Sequence, residues 1–200
     1  MFLSRNEFID TPPSSIAEWN RRPRVMVVGL GDSVLTDQGV GIHAVRRFLQ
    51  IKPPQCLAME IGTAIANSVS LFENAERVLA FDSLEAGEQP GSVYVFRAES
   101  SPSERRHKSL HEVELIRSLQ TLPYPPDEVV IIAAEPYMIG WGAELSPVLD
   151  SAVSIMVSTA CEVIAKWQSL DLCHDRIDLA SIIQDSKYKY RNCIPHFKIA

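Results

Sequence analysis

Residues 24–41 read RVMVVGLGDSVLTDQGVG, and their order decides the fold. The apolar, largely β-branched run Val25 to Val28 has the composition of a buried strand. Gly29-Leu30-Gly31 breaks it, a polar loop follows, and Asp37-Gln38-Gly39 closes that loop. From Val40 to Gln50, Val40, Ala44, Val45 and Phe48 recur on one helical face, with Arg46 and Arg47 outside it. Strand, glycine turn, loop and helix place Asp32, Asp37 and Gln38 at the carboxyl end of a strand, where open α/β sheets bind ligands.

The same alternation continues downstream. Residues 57–61 (LAMEI), 77–82 (RVLAFD), 92–96 (SVYVF) and 128–134 (EVVIIAA) read as strands. Helices are expected near 65–74, from Ser109 to about Gln120, and from Leu145 or Pro147 to about Trp167. Strands alternating with helices predict a three-layer α/β/α sandwich around a largely parallel twisted sheet of about five strands. The expected organisation is an N-terminal extension over 1–23, a main domain over 24–168, and a C-terminal extension over 169–200. The first extension holds a possible capping box, Ser15 to Glu18. The second mixes Lys187, Lys189, Arg191 and Lys198 with aromatics.

Composition narrows the function. Two hundred residues, 46% hydrophobic and 22% charged, suit one domain with a substantial core. A net charge of -6 argues against a general nucleic-acid binder. No apolar run long enough to span a bilayer is apparent, and the N-terminus lacks the apolar segment of a signal peptide. The four cysteines, Cys56, Cys161, Cys173 and Cys193, form no CxxC pair. Free thiols in a reducing cytoplasm fit them better than a disulfide framework.

Several chemistries can be weighed against the loops. A dinucleotide turn asks for a third glycine where Val34 stands, and acids in the loop repel pyrophosphate. No P-loop is present. The pair Gly29 and Gly31 is therefore read either as a weak nucleotide turn or as a device for turning the backbone. HEVEL (111–115) is not a zinc-protease helix, because Leu115 stands where the second histidine belongs. There is no GxSxG and no recognisable cysteine nucleophile. Asp82 ends a strand, as a cap or as a site residue. Ser109 and Glu112 fit a capping box, which puts His111 in the first helical turn. There the positive helix end favours the neutral imidazole, a competent metal ligand. Asp37, Gln38, Asp82 and His111, with Glu60 on the same edge, could converge as a site for a borderline transition metal.

These motifs in this order resemble the hydrogenase maturation endopeptidases, which process the large subunit of nickel–iron hydrogenases. The resemblance runs from about Arg24 to Trp167. It rests on GLGDSVLTDQGVGIHAVRR (29–47), EIGTA (60–64), VLAFDSL (78–84), the turn Pro90-Gly91-Ser92, SLHEVEL (109–115) and IIAAEPYMIGWGAELSPVL (131–149). It implies a cytoplasmic protease that removes the C-terminal peptide of a large-subunit precursor after nickel insertion. Nickel arrives with the substrate as the recognition signal. The resemblance puts the metal contacts on Gln38, Asp82 and His111, with Asp37 beside them in the catalytic set. Gly31, Gly39, Gly62 and Thr63 shape the loops. Two positions depart from the family pattern: Asp32 replaces an asparagine, and Gln38 replaces an acid. An amide oxygen can contact a metal but carries no charge and is no base at neutral pH. Two readings follow, an active endopeptidase or a degenerate relative that binds the precursor as an assembly or checkpoint factor.

Overall fold

The computed structural model describes residues 25–51, 53, 56–73, 75–98 and 109–170. The extension over 1–23, its capping box and the basic, aromatic C-terminal segment lie outside the described residues. Five strands form one sheet: β1 (Val25–Leu30), β2 (Cys56–Gly62), β3 (Arg77–Ser83), β4 (Val93–Arg97) and β5 (Glu128–Ala134). Their order is β2-β1-β3-β5-β4. All pairings are parallel except that of β4 with β5, which puts one antiparallel strand at the edge.

Alternation along each strand builds two cores. Val25, Val27, Leu79, Phe81 and Ile132 face helices α1 (Val40–Ile51) and α3 (Pro147–Leu170). Met26, Val28, Val78, Ala80 and Ile131 face the opposite layer. That layer consists of α2 (Leu110–Leu119) and a 3-10 helix, Ala66–Phe72. The expected α/β/α sandwich is therefore the observed one. The segment expected as a helix near 65–74 is the 3-10 helix. Ser68 there donates its hydroxyl back to the Ala64 carbonyl (2.8 Å), a bond that competes with regular helix.

Helix α3 corrects one expectation. From Pro147 to Ser169 it is long and apolar enough to cross a membrane by length and composition. Its apolar face is instead covered by the sheet, with Leu149, Met156, Val163 and Trp167 among the most deeply buried side chains. It also runs past the expected boundary at 168, to Leu170.

β1 lies between β2 and β3, so the chain leaves β1 for one side of the sheet and returns to the other. The carboxyl ends of β1 and β3 thus flank the point where strand order reverses, and the loop after β1 opens there. Gly41 seats that loop. A Cβ at Gly41 would stand 2.4 Å from the carbonyl oxygens of both Leu30 and Phe81. The first turn of α1 is consequently pressed against the ends of both strands. Gly41→Ala is expected to cost about 3 kcal/mol, since neither backbone can retreat. Urea unfolding of the purified variant measures it.

Candidate functional site

The loop after β1 is held by its own backbone. Gly31 has φ +109°, and a Cβ there would meet the Gln38 carbonyl oxygen at 2.1 Å. The glycine pair therefore serves loop closure, in a space that the loop itself fills. A short 3-10 helix follows, Thr36–Gly39, which carries Gln38 and packs against β3.

Thr36 has φ 37°, an uncommon value for a β-branched residue. Its surroundings hold it there. Its N–H donates to the Gly142 carbonyl (2.7 Å), its hydroxyl donates to the Met138 carbonyl (3.0 Å), and that hydroxyl accepts the Gly140 N–H (3.0 Å).

Asp37 is fully buried. Its Oδ2 accepts the N–H groups of Tyr137 and Met138, both at 3.0 Å, and the Ser146 hydroxyl at 2.8 Å. Its Oδ1 accepts the Ser146 N–H at 2.7 Å. The sequence reading gave Asp37 a catalytic place, and in the fold its carboxylate is engaged by these four donors. Both oxygens are buried and tie the loop after β5 to the loop after β1. That second loop carries Tyr137, Met138, Ile139 and Trp141 to the surface, Trp141 being 88% exposed. Gln38, the next residue, is half-buried. Among the described residues its side-chain amide has no hydrogen-bond partner.

Asp82 and His111 meet, although they lie on different elements. Asp82 sits near the carboxyl end of β3, with only 1% of its side chain exposed. Its Oδ1 accepts the Ser83 N–H (2.8 Å) and faces His111 Nδ1 (3.1 Å). Its Oδ2 accepts the hydroxyl of Ser109. Ser109 is also the N-cap of α2, accepting the Glu112 N–H at 2.9 Å, as the capping box predicts.

The pKa shift of His111 runs opposite to the sequence expectation. Its pKa is raised, chiefly by the hydrogen bond to Asp82, which outweighs burial; the charges of Asp82, Glu114 and Asp32 act in the same direction. A helix dipole is worth about 0.3–1 kcal/mol at such a position. A hydrogen bond to a charged group is worth about 1.5–3 kcal/mol, so the carboxylate prevails. The sign for stability follows. A raised folded pKa contributes stability that is fully present below the unfolded value near 6.5 and is lost as pH rises through the folded value. In the free protein, the imidazole proton resonance of His111 should titrate above the ordinary histidine value. Asp82→Asn should bring its midpoint down.

Glu60 has a different fate. Its carboxylate forms a two-pronged pair with Arg46, both contacts at 2.8 Å, which holds it below the usual range. It lines a cleft of about 260 Å³ with Gly31, Asp32, Ser33 and Thr63, between the ends of β1 and β2. Among the described residues no group of three or more His, Cys, Asp or Glu is placed to hold a metal ion. These elements supply one imidazole backed by a carboxylate, the Gln38 amide, and a cleft lined by Gly31, Asp32 and Glu60. Sequence reasoning found Ser109 only as a cap. The adjacency of that cap to His111 was the available sign of its contact with Asp82.

The fold is a three-layer α/β sandwich that carries a histidine–carboxylate pair, Asp82 and His111, near the carboxyl end of β3. Residues 42–164 match the family model of the hydrogenase maturation proteases, and the chain belongs to that family. The match begins just past Gln38, so membership does not depend on the unusual loop. The chain is 28% identical over 182 residues to the hydrogenase expression/formation protein HupD of Bradyrhizobium diazoefficiens, covering 84% of this chain and 95% of that one. It is 23% identical to the hydrogenase 2 maturation protease of Escherichia coli, over 65% of this chain and 84% of the other. The [NiFe] hydrogenase maturation protease HybD of Thermococcus kodakarensis has a similar structure, with a TM-score of 0.59 and 25% identity, over 70% of this chain and 98% of that one. The hydrogenase maturating endopeptidase HybD from E. coli shares the fold at a TM-score of 0.63 and 20% identity, over 72% and 93%.

Proposed function

We propose that this chain is an endopeptidase that removes the C-terminal peptide from a nickel–iron hydrogenase large-subunit precursor once nickel is in place. The observation that carries this reading is the Asp82–His111 pair, which sits at the sheet's ligand edge in a member of the maturation protease family. Nickel is the precursor's cargo and serves as the signal that the precursor is ready. Asp82 and His111 are its contacts when the precursor docks, and Gln38 offers its amide oxygen as a weaker one. The cleft lined by Gly31, Asp32 and Thr63 receives the precursor chain. The reaction belongs in the cytoplasm, a reading supported by the free thiols of Cys56 and Cys161.

Gln38 favours a second reading, a relative that binds the precursor without cutting it. The amide lacks the charge that a dication rewards and cannot take a proton. Gln38→Glu separates the two. For an active enzyme, the natural chain cleaves, and the variant prefers nickel-loaded over nickel-free precursor more strongly, by about tenfold for a gain of about 1.4 kcal/mol. For a binding factor, the natural chain leaves the precursor intact and only the variant shortens it. Intact mass of the precursor over time distinguishes these outcomes.

A further inference from the structure

We infer that the loop after β5, residues 136–142, is a preformed docking surface for the folded body of the large-subunit precursor, with Trp141 as its anchor. The identity of the partner rests on the processing reading; the surface itself does not.

Composition points to an interface. Residues 137–142 read YMIGWG and carry no charge. Tyr137, Met138, Ile139 and Trp141 are all exposed, Trp141 at 88%. A single apolar side chain on a surface needs no explanation, but four within five positions do. Aromatic residues and methionine, with charge left out, are what the core of a protein–protein interface contains.

A loose loop exposes such residues by chance, and this loop is not loose. The N–H groups of Tyr137 and Met138 donate to buried Asp37, and that of Gly140 donates to the Thr36 hydroxyl. Gly142 donates its N–H to the Val34 carbonyl (2.9 Å) and accepts the Thr36 N–H on its own carbonyl (2.7 Å). His43 Nε2 meets the Ala143 carbonyl at 3.2 Å. All these anchors lie on the loop after β1 or at the start of α1. The fold has therefore already ordered the backbone that presents Trp141, and a partner landing there is spared that entropy loss.

Position selects the partner. The anchoring loop is the one that carries Gln38, so the surface adjoins the edge that the processing reading gives to the precursor. The cleft has a volume of about 260 Å³ and is lined largely by Asp32, Ser33, Glu60, Thr63 and glycines. It takes a short stretch of chain and offers little apolar area. An enzyme that cuts one bond in one folded protein gains selectivity from contacts remote from that bond, and Trp141 supplies them. The occupant is accordingly an apolar recess on the precursor's folded body, and the segment to be removed lies elsewhere, in the cleft.

The experiment compares the full chain with its Trp141→Ser and Tyr124→Ser variants, each shown to be folded by circular dichroism. Tyr124 is 83% exposed but precedes β5, at the opposite end of the sheet, and serves as the control. Dissociation constants are measured in the cold, where turnover is slow, for nickel-loaded precursor and for a synthetic peptide of its C-terminal segment. Cleavage is followed separately by intact mass. Trp141→Ser should weaken binding of the precursor roughly thirtyfold and leave the rate at saturating precursor within about twofold. Tyr124→Ser should change neither, and the peptide should not distinguish the three proteins. Natural affinity in Trp141→Ser overturns the inference, as does an equal loss in Tyr124→Ser or a matching loss with the peptide. A natural chain that is dimeric in size-exclusion chromatography, and monomeric as Trp141→Ser, overturns it in favour of a contact between copies. If the natural chain binds precursor without cutting it, the processing reading fails and the change in affinity still decides the docking surface. If it binds no precursor, both fail.

Discussion

Replacing His111 with alanine should lower cleavage of nickel-loaded precursor by roughly a thousandfold, the largest functional effect expected in this protein. The reason is specific to the geometry. Among the described residues, the Asp82–His111 pair is the one place where an imidazole is backed by a buried carboxylate, and the free amide of Gln38 cannot replace a lone pair on nitrogen. Asp82→Asn should cost less, roughly ten- to a hundredfold, because the imidazole remains and only its partner is weakened. Glu60→Gln, by comparison, should matter little to the chemistry, since that carboxylate is committed to Arg46 at the rim of the cleft. Initial rates from intact-mass measurements rank the three. Equal losses in all three would mean that the edge acts as a general acidic surface and that the pair has no special role.

Asp37→Ala should lower stability by about 4 kcal/mol, the largest structural effect expected from a single polar substitution here. The carboxylate is fully buried and receives four hydrogen bonds from the loop that follows β5. Alanine leaves three N–H groups and one hydroxyl facing a void, and each unsatisfied donor costs about 1–3 kcal/mol before relaxation. Asp37→Asn should cost about half as much, because one oxygen remains while the new amide N–H opposes donors already there. The unusual backbone of Thr36 should relax in both variants, since its hydrogen bonds go to the same loop. Urea unfolding gives the energies. A loss below about 1 kcal/mol for alanine would show that the loop is held by other contacts.

The two kinds of prediction reflect how much was legible in the sequence. Strand identity was readable because β1, β3 and β5 are apolar on both faces, and β-branched runs of that kind have few other uses. Their ends moved by one or two residues, as at Ser83 and Leu30, because hydrogen bonding outlasts the apolar pattern. Residues 128–134 needed no adjustment. Strand order and the antiparallel edge of β4 depend on packing that no single segment records. Within the site, residue types were legible and contacts were not. Asp82 and His111 were chosen for what an acid and an imidazole can do; that they meet at 3.1 Å follows from the seating of α2 over β3. Asp37 shows the opposite case. Its chemistry looked catalytic, yet its partners lie 100 to 109 residues away, and only the folded loop reveals that it is a clamp. His111 was expected to be neutral from its helix position, a local effect, and a carboxylate from another element reversed the direction.

The claim that this chain is a nickel-gated processing protease is tested most directly by one measurement. Purified chain is mixed with the large-subunit precursor of its own hydrogenase, with and without inserted nickel, and the precursor's intact mass is followed. The account predicts a single discrete loss of a C-terminal peptide from the nickel-loaded form alone. Persistence of full-length nickel-loaded precursor, while an active relative shortens its own substrate in parallel, would contradict it, as would equal shortening without nickel.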